Sequence, residues 1–235
     1  MKKYSKRYSL LIQKVQKGKL YSKEEAVSLL KELHTAKFDE TVELSVKLGV
    51  NPKKIQQPIR GSVVLPHGTG KKVKILVFAQ GENVEKAKKA GADYVGGQEL
   101  VDKIKEGWLD FDVIISTPDM MKIVTPLGKI LGPKGLMPTP KTGTVTSDVE
   151  KIINELKKGR IDFKMDKDGN IHLPVGKISF GNTELEENIT AGIEAISNAK
   201  SSISKSIPIK SINLSLTMSP SVPLDVGKII QQFKI

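Results

Sequence analysis

Four short stretches of the chain alternate apolar and polar residues with a period of two. Between Thr41 and Leu48, Val42, Leu44, Val46 and Leu48 fall on one side and Thr41, Glu43, Ser45 and Lys47 on the other. Between Ser211 and Met218, Ile212, Leu214, Leu216 and Met218 oppose Ser211, Asn213, Ser215 and Thr217. Ile161, Phe163 and Met165 alternate with Asp162, Lys164 and Asp166, and Ile171, Leu173 and Val175 form a further apolar row. Successive side chains of a strand point to opposite faces, so this pattern predicts antiparallel strands buried on one face only. Asp166-Lys167-Asp168-Gly169-Asn170 is the turn expected between the last two. Two other stretches carry the helical period. Ser22-x-x-Glu25 opens one, with Ala26, Leu29, Leu30 and Leu33 on one face; Thr183-x-x-Glu186 opens the other, with Leu185, Ile189, Ile193 and Ile196. Each opening has the form of a capping box, in which hydroxyl and carboxylate satisfy the first free backbone N–H groups.

These elements come from both ends of the chain. They predict a two-layer α+β domain, an antiparallel sheet with helices on one face and the other face open. The middle reads differently. Val73–Ala79 and Val113–Ile115 are nearly continuous apolar runs, separated by helical stretches near 84–90 and 100–105. Strands apolar on both sides, alternating with helices, predict an inserted Rossmann-like, three-layer domain with a parallel sheet. The expected division is residues 1–67 with 160–235 as one discontinuous domain and 68–159 as the insertion, joined at Pro66-His67-Gly68-Thr69-Gly70 and Lys158-Gly159. Glycine permits a hinge at such joints.

Charge narrows the class of partner. The chain has 38 Lys and Arg against 26 Asp and Glu, a formal net charge of +12. Such an excess favours a polyanion, because each phosphate contact releases condensed counterions. The expected terminal domain holds a net +9 and the middle a net +3; residues 82–112 carry eight acids and five lysines, so part of the middle surface repels RNA. From Met1 to Lys23 there are eight Lys or Arg and no acid, read as an arm that lies against phosphates. Removing its lysines is then expected to flatten the salt dependence of binding.

Other chemistries find little support. The absence of cysteine excludes disulfides, thiol catalysis and thiolate metal sites. No apolar run approaches the roughly 20 residues of a membrane helix, and Leu10-Leu11-Ile12 is too short for a signal-peptide core. The reading is a soluble, intracellular protein with no membrane partner. Gly68-Thr69-Gly70-Lys71-Lys72 lacks the leading glycine of a phosphate-binding loop, has Lys72 where a hydroxyl should bind magnesium, and precedes a strand. No G-x-G-x-x-G follows the first middle strand, where Gln80-Gly81-Glu82 stands. Asp166-x-Asp168-Gly169 lacks the distant bidentate Glu of a calcium loop, which would fall at Lys177. His34, His67 and His172 show no metal-ligand spacing. Neither enzyme nor cofactor is expected. The acid-free Leu127–Thr146 segment has three prolines and four glycines, which predict a non-helical backbone. It is either a rigid connector or a surface offering lysines and threonines to phosphate. Lys37-Phe38, just before the Thr41 strand, pairs a cation with an aromatic, an arrangement suited to phosphate and base together.

Taken together, Lys37-Phe38-Asp39-Glu40-Thr41-Val42-Glu43, Arg60-Gly61 with Leu65-Pro66-His67-Gly68, Ala90-Gly91-Ala92-Asp93, Gly128-Lys129-Ile130-Leu131-Gly132-Pro133-Lys134-Gly135-Leu136-Met137-Pro138, and Thr217-Met218 with Pro220-Ser221 resemble the L-one family of large-subunit ribosomal proteins, in its bacterial form. This is the family of the mobile stalk beside the exit site for transfer RNA. The resemblance covers essentially the whole chain. It implies the discontinuous two-domain fold, binding to large-subunit ribosomal RNA, help in moving and releasing exit-site transfer RNA, and repression of the protein's own operon messenger RNA. It also implies a cytoplasmic, ribosomal location and a monomer when free. By this resemblance Lys37, Phe38, Thr41, Asp166, Lys167, His172, Ser211, Thr217, Met218 and Ser219 line the RNA face. Family members usually carry glycine after Thr-Met, where this chain has Ser219. If RNA approaches that backbone closely, Ser219→Gly is expected to bind equally well or better.

Overall fold

The computed structural model describes residues 4–50, 59–201 and 207–232. Helices α1 (Lys6–Lys14) and α2 (Lys23–Leu33) lead into strands β1 (Thr41–Leu48) and β2 (Arg60–Val64). The middle of the chain runs β3 (Ile75–Phe78), α3 (Glu82–Lys89), β4 (Tyr94–Gly96), α4 (Gln98–Lys105), β5 (Val113–Ser116), the helical turns α5 (Met121–Val124) and α6 (Gly128–Leu131), and α7 (Val149–Lys157). The return adds β6 (Arg160–Lys164), β7 (Asn170–Lys177), α8 (Asn182–Ser201), β8 (Ile209–Leu216), β9 (Val222–Leu224) and α9 (Val226–Gln232). Two compact units result, a terminal one of Met1–Gly70 with Ile161–Ile235 and a middle one of Lys71–Arg160. The joints thus fall slightly beyond those expected from the glycine runs.

In the terminal unit a four-stranded antiparallel sheet has the order β7-β1-β8-β9. The apolar rows of β1, β7 and β8 are buried on one face, beneath α2 and α8. The stripe Leu185, Ile189, Ile193 and Ile196 on α8 is fully buried, each side chain contributing roughly 1.5–3 kcal/mol. Gly192 lets the helix lie close to the sheet, since a Cβ there would come within 2.9 Å of Leu173 and 3.2 Å of Leu44. The capping box at Ser22 and Glu25 forms as expected, with both reciprocal hydrogen bonds.

Several expectations need correction. Helix α8 begins at Asn182, ahead of Thr183, and Glu184 rather than Glu186 reaches back, its Oε2 accepting from the Gly181 N–H at 2.7 Å. The Asp166–Asn170 turn closes with Asp166 N–H donating to the Asn170 carbonyl. The strands flanking it nevertheless belong to different sheets: β7 pairs with β1, while β6 pairs with β2 in a separate two-stranded ribbon. Period two fixes which residues face the core but not which strand lies alongside. Strand β8 ends at Leu216, so Met218 is outside it and 46% exposed rather than inward. The basic N-terminus is helical over Lys6–Lys14, capped by Ser5 and anchored by buried Leu11; Met1–Lys3 of the expected arm lie outside the described residues.

The middle unit has a parallel sheet of order β4-β3-β5. All four residues of β3 are buried, because both faces are covered. Leu76 and Phe78 pack with Val101, Ile104, Val124 and Leu131 on one side; Ile75 and Val77 pack with Ala87, Val149 and Ile153 on the other. Residues 128–131 of the Gly/Pro-rich segment are helical, contrary to expectation, because Leu127 and Leu131 both insert into the core. Beyond them the backbone is largely irregular, tied by hydroxyl bonds among Thr139, Thr142 and Thr144.

Candidate nucleic-acid interface

The open face of the terminal sheet follows directly from the alternation. Thr41, Glu43, Ser45 and Lys47 on β1 stand beside His172 and Pro174 on β7 and Ser211, Asn213 and Ser215 on β8. The register places Ser45 opposite both His172 and Asn213, and Lys47 opposite Asn170 and Ser211. The face is polar, only partly covered by its own side chains, and rich in short donors and acceptors. Ser45, Lys47, Asn213 and Ser215 were legible in the alternation as outward residues, although no motif singled them out.

The candidate RNA residues fall into two groups at opposite ends of this face. Along β1 the ends are separated by roughly 20 Å at ~3.3 Å per residue. At one end stand Lys37, Phe38, Thr41, Thr217, Met218 and Ser219. At the other are Asp166, Lys167 and Ser211, with His172 between. His172 Nδ1 lies 3.0 Å from Ser45 Oγ and 3.1 Å from Glu43 Oε1, which ties the ring to β1 near the middle of the sheet.

Phe38 is 52% exposed, although a lone aromatic beside a strand is more often core. The segment carrying it is clamped from both sides. Asp39 accepts from Ser179 N–H at 3.2 Å and from Ser179 Oγ at 2.7 Å, and Lys177 Nζ donates to Thr41 Oγ1 at 2.9 Å. On the other side Thr41 N–H donates to Thr217 Oγ1 at 3.2 Å. A recess of about 520 Å³ opens next to Phe38, lined also by Lys31, His34, Lys37 and Ile178, which is room for a nucleobase beside an aromatic ring and a cation. Ser219 is committed to its turn: its hydroxyl accepts from Leu216 N–H at 2.9 Å and donates to the Pro220 carbonyl at 2.9 Å. Glycine there would lose both bonds, which acts against any gain from closer backbone approach.

At the far end Asp166 organises the turn. Its carboxylate accepts from the backbone N–H groups of Asp168 (2.9 Å) and Asn170 (2.7 Å) and from Asn170 Nδ2 (2.9 Å), and Lys47 Nζ donates to the Asp168 carbonyl at 2.7 Å. Burial pushes the Asp166 carboxyl up, but the combined hydrogen bonds from Asn170 and Asp168, with His172 nearby, outweigh it and hold the group below its ordinary value. A depressed carboxyl contributes stability above its unfolded value, near 3.9, and loses it as pH falls through the folded value. The turn is therefore expected to be intact at neutral pH and to loosen in acid, with the Asp168 and Asn170 amide resonances shifting together. Asp166→Asn should abolish that transition; persistence of the transition in the variant would assign it to another group. Lys167, exposed beside this carboxylate, has no partner among the described residues.

The N-terminal cations are placed differently from expectation. Arg7 Nη1 donates to Thr35 Oγ1 at 2.8 Å and Nη2 to the Met218 carbonyl at 3.2 Å. Lys14 donates to the Glu32 carbonyl, Lys23 to Thr190 Oγ1, and Lys19 lies over the Tyr21 ring. Most of the described basic run is thus engaged within the protein. Local sequence could not show this, because the partners lie far along the chain.

Among the described residues no group of three or more His, Asp or Glu side chains is placed to hold a metal, and no helix is long and apolar enough to cross a membrane. The chain matches the model of the ribosomal protein L1p/L10e family over residues 30–220. It is also 54% identical over 238 residues to the large ribosomal subunit protein uL1 of Persephonella marina, covering 100% of this chain and 98% of that protein.

Proposed function

Since this chain belongs to the ribosomal protein L1p/L10e family, as a non-enzymatic structural protein of the large ribosomal subunit, we propose that it binds folded large-subunit ribosomal RNA through the open face of its terminal sheet. The observation that carries this reading is the exposed Phe38 beside Lys37 at one end of a polar sheet face whose other end presents Lys167. Stacking and short hydroxyl contacts supply sequence and shape recognition, while the two lysines supply phosphate contacts. Asp166 builds the turn that presents Lys167.

The same face serves the other expected partners. It binds a similarly folded segment of the operon messenger, so ribosomal RNA and messenger compete for it, and free ribosomal RNA relieves repression. On the cytoplasmic ribosome the protein, a monomer before assembly, moves with the stalk RNA and assists release of exit-site transfer RNA.

Charge placement gives the test. Lys37→Ala and Lys167→Ala should each flatten the slope of log affinity against log salt by about one phosphate contact. Lys23→Ala, whose ammonium already bonds Thr190, should leave the slope unchanged. Equal flattening by all three would mean that the sheet face is not the phosphate-contacting surface.

A further inference from the structure

We propose that Glu40 and Arg7 are positioning residues that clamp the Met218 peptide groups from both sides and so set the RNA-facing turn before RNA arrives. This rests on the RNA-binding reading above. Glu40 is 1% exposed, yet it stands just outside β1 among polar residues. Its Oε1 accepts from the Met218 N–H at 2.8 Å, and its Oε2 lies 2.6 Å from His34 Nδ1 at the end of α2. Its own carbonyl accepts from Ile178 N–H at 2.9 Å. The carbonyl of Met218 in turn accepts from Arg7 Nη2 at 3.2 Å, while Arg7 Nη1 is held by Thr35.

One acid and one base thus fix the two polar ends of a single exposed residue's backbone. The cost of burying a carboxylate is offset only when its oxygens are filled, as they are here. Met218 itself is 46% exposed, and the core gains little from fixing it. What the clamp does fix is the spacing between Thr217-Met218 and the Lys37-Phe38 segment, which Glu40 also terminates. A turn already in its binding geometry loses less conformational freedom on association. Arg7, which the charge pattern reads as a phosphate contact, acts here on the protein's own carbonyl.

The test is RNA affinity measured across a salt series for the full chain, with thermal unfolding recorded for each variant. Glu40→Ala and Arg7→Gln should each weaken binding about tenfold at every salt concentration, the scale of one hydrogen-bonded contact to a charged group, with the salt slope unchanged. Glu40→Gln, whose amide can still accept from Met218 N–H and donate to the His34 ring, should restore most of the loss. The effect of Glu40→Ala should be less than additive with Thr217→Val, at the same end of the face, and additive with Lys167→Ala at the far end. If Glu40→Ala does not fold, Arg7→Gln carries the test alone. A slope reduced by about one in Arg7→Gln would make Arg7 a phosphate contact and overturn the clamp. So would unchanged affinity in folded variants. If the unaltered protein shows no preference for the ribosomal RNA, the RNA-binding reading fails first, and the two failures are distinguishable.

Discussion

Phe38→Ala lowers affinity for the stalk RNA by roughly 5- to 150-fold, the ~1–3 kcal/mol of one base stacked on an aromatic side chain, and leaves thermal stability nearly unchanged. The pairing of outcomes matters more than either alone. Truncating a buried phenylalanine would cost ~3–5 kcal/mol of stability. Phe38 is 52% exposed, while the segment carrying it is fixed by Asp39, Thr41 and Ser179 and does not need the ring for support. The loss should be the same at low and high salt, since no phosphate contact is removed. A fall in melting temperature with affinity intact would make Phe38 a packing residue and move the recognition face elsewhere.

Asn188→Ala lowers the stability of the terminal unit by about 2–4 kcal/mol, the scale of several buried hydrogen bonds left unmade. Asn188 is fully buried on α8. Its Nδ2 donates to the carbonyls of Val175 (2.8 Å) and Gly68 (3.0 Å), and its Oδ1 accepts from the His67 N–H at 3.1 Å. One side chain therefore ties β7 and the Pro66–Gly68 joint to the helix. Leucine at 188 should fare no better, because the freed Val175 carbonyl remains buried without a partner. Unfolding monitored by circular dichroism checks this; a loss under ~0.5 kcal/mol would mean that water replaces the amide.

What the sequence disclosed divides by the range of the interactions involved. Alternation placed β1, β7 and β8 and their outward rows, because which face a residue occupies is a local property. It could not tell that β6 pairs with β2, because partner choice is set by the rest of the chain. The cation–aromatic pair Lys37-Phe38 marked one end of the face, and the resemblance supplied Thr217-Met218. Glu40 was part of the resemblance but had no role assigned to it, because the peptide it holds, that of Met218, is far away in sequence. Arg7 was grouped with the phosphate-facing arm for the same reason: a basic run reads as available to phosphate until its acceptors are known. Asn188 did leave a signal. It follows Leu185 by three residues and precedes Gly192 by four, so it borders the apolar stripe on the helix surface, where a polar residue can take a buried hydrogen-bonding role. The Leu127–Leu131 turn was obscured by its flanking glycines, which local propensity reads as loop even though the apolar spacing fits the core.

The most direct measurement is binding of this chain to a stalk fragment of large-subunit ribosomal RNA against a same-length scrambled hairpin at physiological salt. Recognition by the open sheet face predicts a preference of ~10³-fold or more, the lower range for specific nucleic-acid binders. Equal, weak and strongly salt-dependent binding to both RNAs would contradict it, leaving the net charge of +12 as a source of nonspecific attraction only.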